Sequence, residues 1–127
     1  MQIEIPISIG ELVDKITILE IKNENIHDKE KIKLVNIELN RLNSIYKKIG
    51  ENKELDQLKL ELKEVNSKLW KIEDEIRVLE SKNIFDKEFV SLARSVYITN
   101  DKRFDIKNKI NKSYSSDIME VKSYEQY

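Results

Sequence analysis

The stretch LDQLKLELKEVNSKLWKIEDEIRVL, residues 55–79, decides the fold. Its apolar residues are spaced alternately three and four apart, which is the heptad spacing of a helix packed along one seam. The seam consists of Leu55, Leu58, Leu62, Val65, Leu69, Ile72, Ile76 and Leu79. A second stripe near the end of the segment carries Trp70, Glu73, Asp74 and Arg77, which helical spacing places on one face. The first stripe predicts a long packed helix, and the second is a candidate functional surface.

A second heptad segment precedes this one and ends at Gly50, a residue suited to terminate a helix. Its seam consists of Ile32, Val35, Leu39, Leu42, Tyr46 and Ile49. Only two or three residues separate the two segments, and so short a connection favours antiparallel neighbours. We therefore predict a long antiparallel, coiled-coil-like hairpin of helices over 28–49 and 53–82, with the two seams facing each other.

The longer second arm of this hairpin should project past the first by roughly 10 Å, at 1.5 Å per residue. Residues 73–79 would then lie beyond the hairpin. We expect an N-terminal helix and one or two C-terminal helices to pack at this open end.

The two ends of the chain predict further elements. Isoleucines at every second position of residues 1–8 indicate a short strand, which Pro6 restricts to an edge because it has no N–H to donate. Its partner would be the tail near 118–121 or the same strand of a second chain. Ser8 and Glu11 form a capping box that starts a helix over 9–27. A last helix is expected over 86–113, where an interruption near 99–101 stays an alternative, followed by a tail over 114–127. The prediction is a single all-α domain.

Composition excludes several classes of partner. Lys plus Arg (23) nearly equals Asp plus Glu (24), and the two signs are interleaved, which disfavours nucleic-acid binding. There is no cysteine for a disulfide or a zinc finger. No basic leader or membrane-length apolar run is visible, so we expect a cytoplasmic protein that does not bind membranes.

The sharpest candidate site is a polar network that we interpret as binding an anion or a partner. Arginine captures carboxylate or phosphate bidentately, and this lysine-rich chain places three of its few arginines in these segments. The alternative is that these arginines pair internally with Glu20, Asp74 and Asp101 and hold the helices in register. Trp70 likewise has two interpretations, a core residue or a stacking platform. The network is Glu20, Trp70, Glu73, Asp74, Arg77, Arg94, Asn100, Asp101, Arg103 and Lys107.

Catalytic and metal motifs are weak, so no catalytic residue, cofactor or metal is assigned. The spacing of Glu24 and His27 is that of di-iron bundles, but those need two such motifs and the chain has one histidine. The acidic pairs Glu11 with Asp14 and Glu61 with Glu64 have the spacing of magnesium ligands in helical pyrophosphohydrolases, a spacing common by chance in so acidic a chain. No glycine-rich phosphate loop is present.

Several blocks together resemble a family of short uncharacterised bacterial and bacteriophage proteins, a domain of unknown function. The blocks are IPISIGELVDKITILEIK, LWKIEDEIRVLE, FVSLARSVYITNDKRFDIKNKIN (which includes LARSVYITNDKR) and EVKSY. Residues 31–63 carry no block, and Asn108 stands where relatives tend to be more basic. The resemblance implies no activity, substrate or cofactor.

Two functional hypotheses follow from these patterns. The first is a helical protein-interaction module that self-associates as a homodimer. It is favoured because the heptad repeats are regular and no set of catalytic residues is visible. The alternative is a small enzyme or ligand-binding protein for an anionic metabolite. In that case Arg77, Arg94 and Arg103 would hold the anion, and Asp74 or Glu20 would act as general base or orient the ligand.

Overall fold

A computed structural model describes residues 1–125 as four α-helices joined by short connections. The helices are α1 (Ile9–Asn25), α2 (Lys29–Ile49), α3 (Lys53–Ser81) and α4 (Lys87–Ser113). The predicted all-helical class is confirmed. Residues 126 and 127, the end of the predicted tail, lie outside the described residues. Within the described part of the chain, no helix is both long enough and apolar enough to span a bilayer.

Each helix begins at a polar side chain that accepts a hydrogen bond from a backbone N–H of the first turn. The distances are 3.1 Å for Ser8, 3.0 Å for Asp28, 3.0 Å for Asn52 and 3.1 Å for Asp86. Such caps stabilise a helix by about 0.5–2 kcal/mol each. Local sequence therefore determines where each helix starts.

Helix α1 is the centre of the molecule, because it packs against α2, α3 and α4. On one side, Leu12, Ile16 and Leu19 form a core cluster with Leu39 of α2. On the other side, Val13 packs with the α3 seam residues Leu55, Leu58 and Leu62 and with Ile110 of α4. The shortest of the four helices thus carries two apolar faces, and each contributes to a separate part of the core.

The predicted hairpin of α2 and α3 is wrong. The α2 seam faces Leu12, Ile16 and Leu19 of α1, and the first half of the α3 seam faces α1 and α4. Only the last turn of α2, at Tyr46 and Ile49, reaches the cluster around Leu55. A heptad seam specifies which face of a helix is buried but not which helix covers it. Here the two faces of α1 cover both seams.

The antiparallel hairpin of this fold consists of α3 and α4. They form the most extensive helix pair, and residues 82–86 join them. At the far end, the Ser113 hydroxyl of α4 donates to Glu54 of α3 over 3.2 Å. The second half of α3 therefore packs on α4 and does not project freely, and α4 runs without a break through residues 99–101.

The predicted edge strand is also wrong, since residues 1–125 contain no β-strand. Residues 118–120, part of one candidate partner, line the same shallow depression as residues 6–8. No backbone hydrogen bond joins residues 1–7 to another described segment, however. An isolated strand needs a paired neighbour, and Pro6 has no N–H to offer one.

The tail after α4 folds back along that helix. Lys122 Nζ lies 3.1 Å from the Asp101 carboxylate and 5.1 Å from the centre of the Phe104 ring. Glu120 forms an ion pair with Lys107 at 2.9 Å. These contacts hold the described part of the tail against α4.

Candidate functional site

A cavity of about 480 Å³ opens between α1, α3 and α4. It brings together the second stripe of α3 with the predicted Asn100 and Arg103 of α4. Its lining residues are Ile18, Ile21, Asn66, Leu69, Trp70, Glu73, Asp74, Arg77, Asn100 and Arg103. Six of the ten residues of the predicted polar network therefore line one cavity.

Arg103 is held in this cavity by a carboxylate that sequence reasoning did not connect to it. Its Nε donates to Asp14 Oδ1 over 2.8 Å, and its Nη2 donates to Asp14 Oδ2 over 2.5 Å. The Asp14 side chain is only 1% exposed, whereas that of Arg103 is 30% exposed. The guanidinium therefore has one edge on a buried carboxylate while its side chain lines the cavity.

Two further polar side chains fix Asp14 in place. Asn66 of α3 donates from Nδ2 to Asp14 Oδ1 over 3.0 Å and to the Thr17 hydroxyl over 2.9 Å. The Thr17 hydroxyl in turn donates to the Asp14 carbonyl over 2.8 Å. All three residues are buried, so this network is rigid and excludes water.

The network shifts the pKa of both charged partners in the direction that keeps them ionised. Burial alone opposes ionisation of the Asp14 carboxyl, but hydrogen bonds from Arg103 and Asn66 outweigh it and place its pKa below the usual 3.8. The hydrogen bond to Asp14 raises the pKa of the Arg103 guanidinium. The pair is therefore charged at neutral pH.

A second arginine lies at the cavity mouth. Arg77 Nε lies 3.4 Å from Glu73 Oε2, one helical turn away on α3, and the Arg77 side chain is largely exposed. Asp74 is exposed beside it. This part of the lining is open to solvent, whereas Arg103 is paired with a buried carboxylate.

The remaining wall is apolar. Trp70 is partly buried and lines the cavity with Ile18, Ile21 and Leu69. Trp70 therefore packs within the fold and also forms part of the cavity wall. An indole supplies apolar area together with one N–H donor.

Four predicted site residues lie away from this cavity. Glu20 has two lysine partners, Lys59 at 3.7 Å and Lys63 at 4.0 Å. Arg94 Nε lies 3.4 Å from the Tyr97 hydroxyl on the exposed side of α4. Asp101 binds Lys122 of the tail. The side chains of these residues make contacts outside the cavity. The residues predicted to form one polar network therefore belong to several separate groups of contacts.

Lys107, the fourth of these residues, is a structural cation. Its side chain is buried and contacts Glu11 and Glu120, each at 2.9 Å. Burial opposes its charge, but the hydrogen bonds to these two carboxylates outweigh burial and raise its pKa. It therefore joins α1, α4 and the tail.

The internal ion pairs differ from those predicted. The alternative interpretation paired arginines with Glu20, Asp74 and Asp101, whereas the structure pairs Arg103 with Asp14 and Arg77 with Glu73. From the sequence, Asp14 was considered only as a weak magnesium ligand together with Glu11, and not as the partner of an arginine. One pattern in the sequence could have indicated this contact. Asp14 and Thr17 are polar residues one turn apart, and they lie between apolar residues that are buried.

The weak metal candidates do not assemble. His27 lies exposed between α1 and α2, and Glu11 and Asp14 each contact a cation of α4. Across residues 1–125, no three His, Cys, Asp or Glu side chains are grouped so that they could share a metal ion.

Fold and site together define a four-helix protein with a mixed polar and aromatic cavity between three of its helices. Residues 1–127, the whole chain, match DUF6165, a family of unknown function, and the protein belongs to that family. Searches of the curated proteins and of the solved structures found no significant match.

Proposed function

We propose that this protein binds a small polar ligand in the cavity between α1, α3 and α4. The observation that carries the proposal is the Asp14–Arg103 pair. A buried carboxylate holds the guanidinium from one edge, and the side chain still lines the cavity. A polar group fixed before the ligand arrives loses little entropy on binding, which is typical of built recognition sites.

The composition of the walls supports the proposal. Ligand sites are usually clefts of roughly 300–1,000 Å³ with apolar and aromatic walls and a few placed polar groups. This cavity has that size, an apolar side with Trp70, and a polar side with Asn100 and Arg103. The lining carboxylates Glu73 and Asp74 do not by themselves assign a reaction, so the proposal is binding.

The single tryptophan of the chain makes the test direct, because intrinsic fluorescence reports on Trp70 alone. A thermal-shift screen of phosphorylated, carboxylated and uncharged metabolites should yield a ligand that raises the melting temperature and changes this fluorescence. At a ligand concentration of 100 Kd the stabilisation should approach about 2.7 kcal/mol.

Two arginine variants locate the ligand. Arg77→Ala removes a cavity residue that is exposed, and Arg94→Ala removes an exposed arginine outside the cavity. We expect weaker binding only in Arg77→Ala. A ligand whose affinity is equal in both variants and whose binding leaves Trp70 fluorescence unchanged binds elsewhere and rejects the proposal.

The second candidate is the homodimeric interaction module, and exposed apolar side chains favour it. Ile3 and Ile5 are 74% and 68% exposed, and Leu34 on the outer face of α2 is 69% exposed. They line one groove, which also includes Ile37 and Ile45. Contiguous apolar surface of this kind typically marks an interface.

A second copy of the chain is the partner that this groove suits. The backbone of residues 1–7 has no partner within the described chain, and alternating isoleucines suit antiparallel pairing with the same segment across a two-fold axis. Such pairing would also cover the outer face of α2.

Light scattering at micromolar concentration tests the dimer. We expect a dimer for the wild type, a monomer for Ile5→Glu and Leu34→Glu, and a dimer for the control Leu60→Glu, which changes an exposed leucine of α3. A monomeric wild type rejects this candidate and leaves the ligand proposal standing.

A further inference from the structure

The cavity between α1, α3 and α4 has no excess of positive charge. Its lining holds two arginines, Arg77 and Arg103, and two carboxylates, Glu73 and Asp74. Behind the lining, the buried Asp14 adds a further negative charge directly on Arg103. No net positive potential is therefore available to attract an anion, although the arginines alone suggest one.

An anion would also have to compete with carboxylates already in place. Asp14 occupies Nε and Nη2 of Arg103, and Asn66 also donates to Oδ1 of this carboxylate. Glu73 lies 3.4 Å from Nε of Arg77. An added phosphate or carboxylate would therefore meet repulsion from Glu73, Asp74 and Asp14 at the same time as attraction from the arginines.

The hydrogen-bonding capacity of the walls is mixed. A guanidinium has five N–H donors, so Arg103 retains N–H groups beyond the two that face Asp14. The Asn100 amide offers both donors and an acceptor, and the Asp74 carboxylate offers acceptors only. An anion can satisfy only the donors and a cation only the acceptors, whereas a hydroxyl group satisfies both.

Hydroxyl groups are the first feature required of the ligand, and the wall that contains Trp70 requires a second. An indole packs best on a flat apolar surface, and Leu69, Ile18 and Ile21 extend the apolar side of the cavity. The ligand should therefore have one face of C–H groups and an edge of hydroxyl groups. A sugar ring has this distribution.

From this juxtaposition of arginines already faced by carboxylates, mixed hydrogen-bond donors and acceptors and one indole, we infer that the cavity binds an uncharged saccharide. The inference rests on the proposed ligand-binding function and names its ligand class. Asp74 accepts hydrogen bonds from hydroxyl groups, Asn100 and Arg103 donate to others, and Trp70 packs on the ring face.

The experiment uses the full chain with three probe sets: neutral mono- and disaccharides, the corresponding sugar phosphates and sugar acids, and inorganic phosphate. Binding is followed by Trp70 fluorescence and by saturation-transfer NMR. We expect neutral saccharides to bind, with an affinity that changes less than about twofold between roughly 50 and 500 mM salt, because screening acts on charge pairs.

Asp74→Ala separates the ligand classes by the sign of its effect. Asp74 is exposed, so its removal does not endanger the fold, and Glu75→Ala is the matched control at an exposed acid outside the lining. For a saccharide, Asp74→Ala should weaken binding about tenfold, the effect of losing about 1.4 kcal/mol of hydrogen bonding. For an anion it should strengthen binding, because a repelling carboxylate is gone.

The outcomes distinguish the two levels of the proposal. Anionic probes that bind more tightly in Asp74→Ala and lose affinity with salt overturn the saccharide assignment but keep the proposed ligand-binding function. Saccharides that bind equally well in wild type, Asp74→Ala and Glu75→Ala bind outside the cavity and overturn the inference. A chain that binds none of the three probe sets overturns the inference and counts against the proposed function as well.

Discussion

Arg103 of α4 and Asp14 of α1 make a two-point ion pair, with Nε and Nη2 on the two carboxylate oxygens at 2.8 and 2.5 Å. The carboxylate is buried and the guanidinium reaches the cavity. Taking both charges out of water is costly, so the pair contributes more to the geometry of the helix packing than to net stability. Removing only one partner has a different consequence, because it leaves a buried charge alone.

Arg103→Ala should therefore destabilise the protein strongly. We expect a loss of about 3–5 kcal/mol in the free energy of unfolding at neutral pH, measured by urea denaturation. Arg94→Ala is the control on the same helix, where the side chain is exposed and the expected change is within about 0.5 kcal/mol. Equal losses of unfolding free energy in the two variants would show that the buried charge of Asp14 does not need Arg103 as its partner.

The lowered pKa of Asp14 predicts a loss of stability in acid. A carboxyl with a lower pKa in the folded than in the unfolded chain stabilises the fold fully above the unfolded value, usually 3.8. This stabilisation is lost as the pH falls through the folded pKa. The free energy of unfolding should therefore fall as the pH drops below about 4, and the fall should be smaller in Asp14→Asn.

Arg103→Ala is the second variant for the acid experiment. Hydrogen bonding and charge from this guanidinium lower the pKa of Asp14, so its removal should also reduce the dependence on pH. The measurement is a series of urea titrations at fixed ionic strength. A wild type and an Asp14→Asn variant with parallel acid profiles would contradict the assignment.

Sequence alone predicted the helices and which of their faces are buried, but not which helices are partners. The seams at Leu39 and Leu62 are both buried as expected, yet they face α1. The short α2–α3 connection suggested a hairpin, and no local rule reveals that a 17-residue helix has apolar residues on two sides of its axis for two different neighbours. Pairing is a tertiary property.

The candidate site was also only partly predictable, because helical spacing shows which residues share a face but not which helices meet. Trp70, Asp74 and Arg77 share a face by helical spacing, and Asn100 with Arg103 lie one turn apart. Their convergence on one cavity requires the α3–α4 pairing. Asp14 contributes from a third helix, so its contact with Arg103, 89 residues away, has no local signal.

Two leucines of α3 test the seam assignment. Leu62 is 0% exposed between α1 and α4, whereas Leu60 is 60% exposed two residues earlier. Leu62→Ala should cost about 2–5 kcal/mol, because a cavity remains in the core. Leu60→Ala should change the free energy of unfolding by no more than about 0.5 kcal/mol. Thermal and urea unfolding of both variants check this, and similar losses would contradict the packing.

Gly10 marks the closest approach of α1 to α4. Its N–H donates to Asn111 Oδ1 over 2.7 Å. A Cβ at this position would lie 2.6 Å from the Lys107 carbonyl oxygen and 2.7 Å from Asn111 Oδ1. The helix backbones would have to separate to admit it, and both the hydrogen bond and the nearby core around Val13 and Ile110 would be strained.

Gly10→Ala should therefore destabilise the protein although alanine is the better helix former. Higher propensity favours alanine by up to about 1 kcal/mol, whereas overpacking a close helix contact costs about 1–3 kcal/mol. We expect a net loss of stability in urea denaturation. In a double-mutant cycle with Asn111→Ala, the cost of Gly10→Ala should be smaller, because one of the two obstructing groups is gone. A Gly10→Ala protein more stable than wild type would mean that α1 and α4 are further apart at this crossing. The contact between Asp14 and Arg103, which joins the same two helices, would then also be in contradiction with the result.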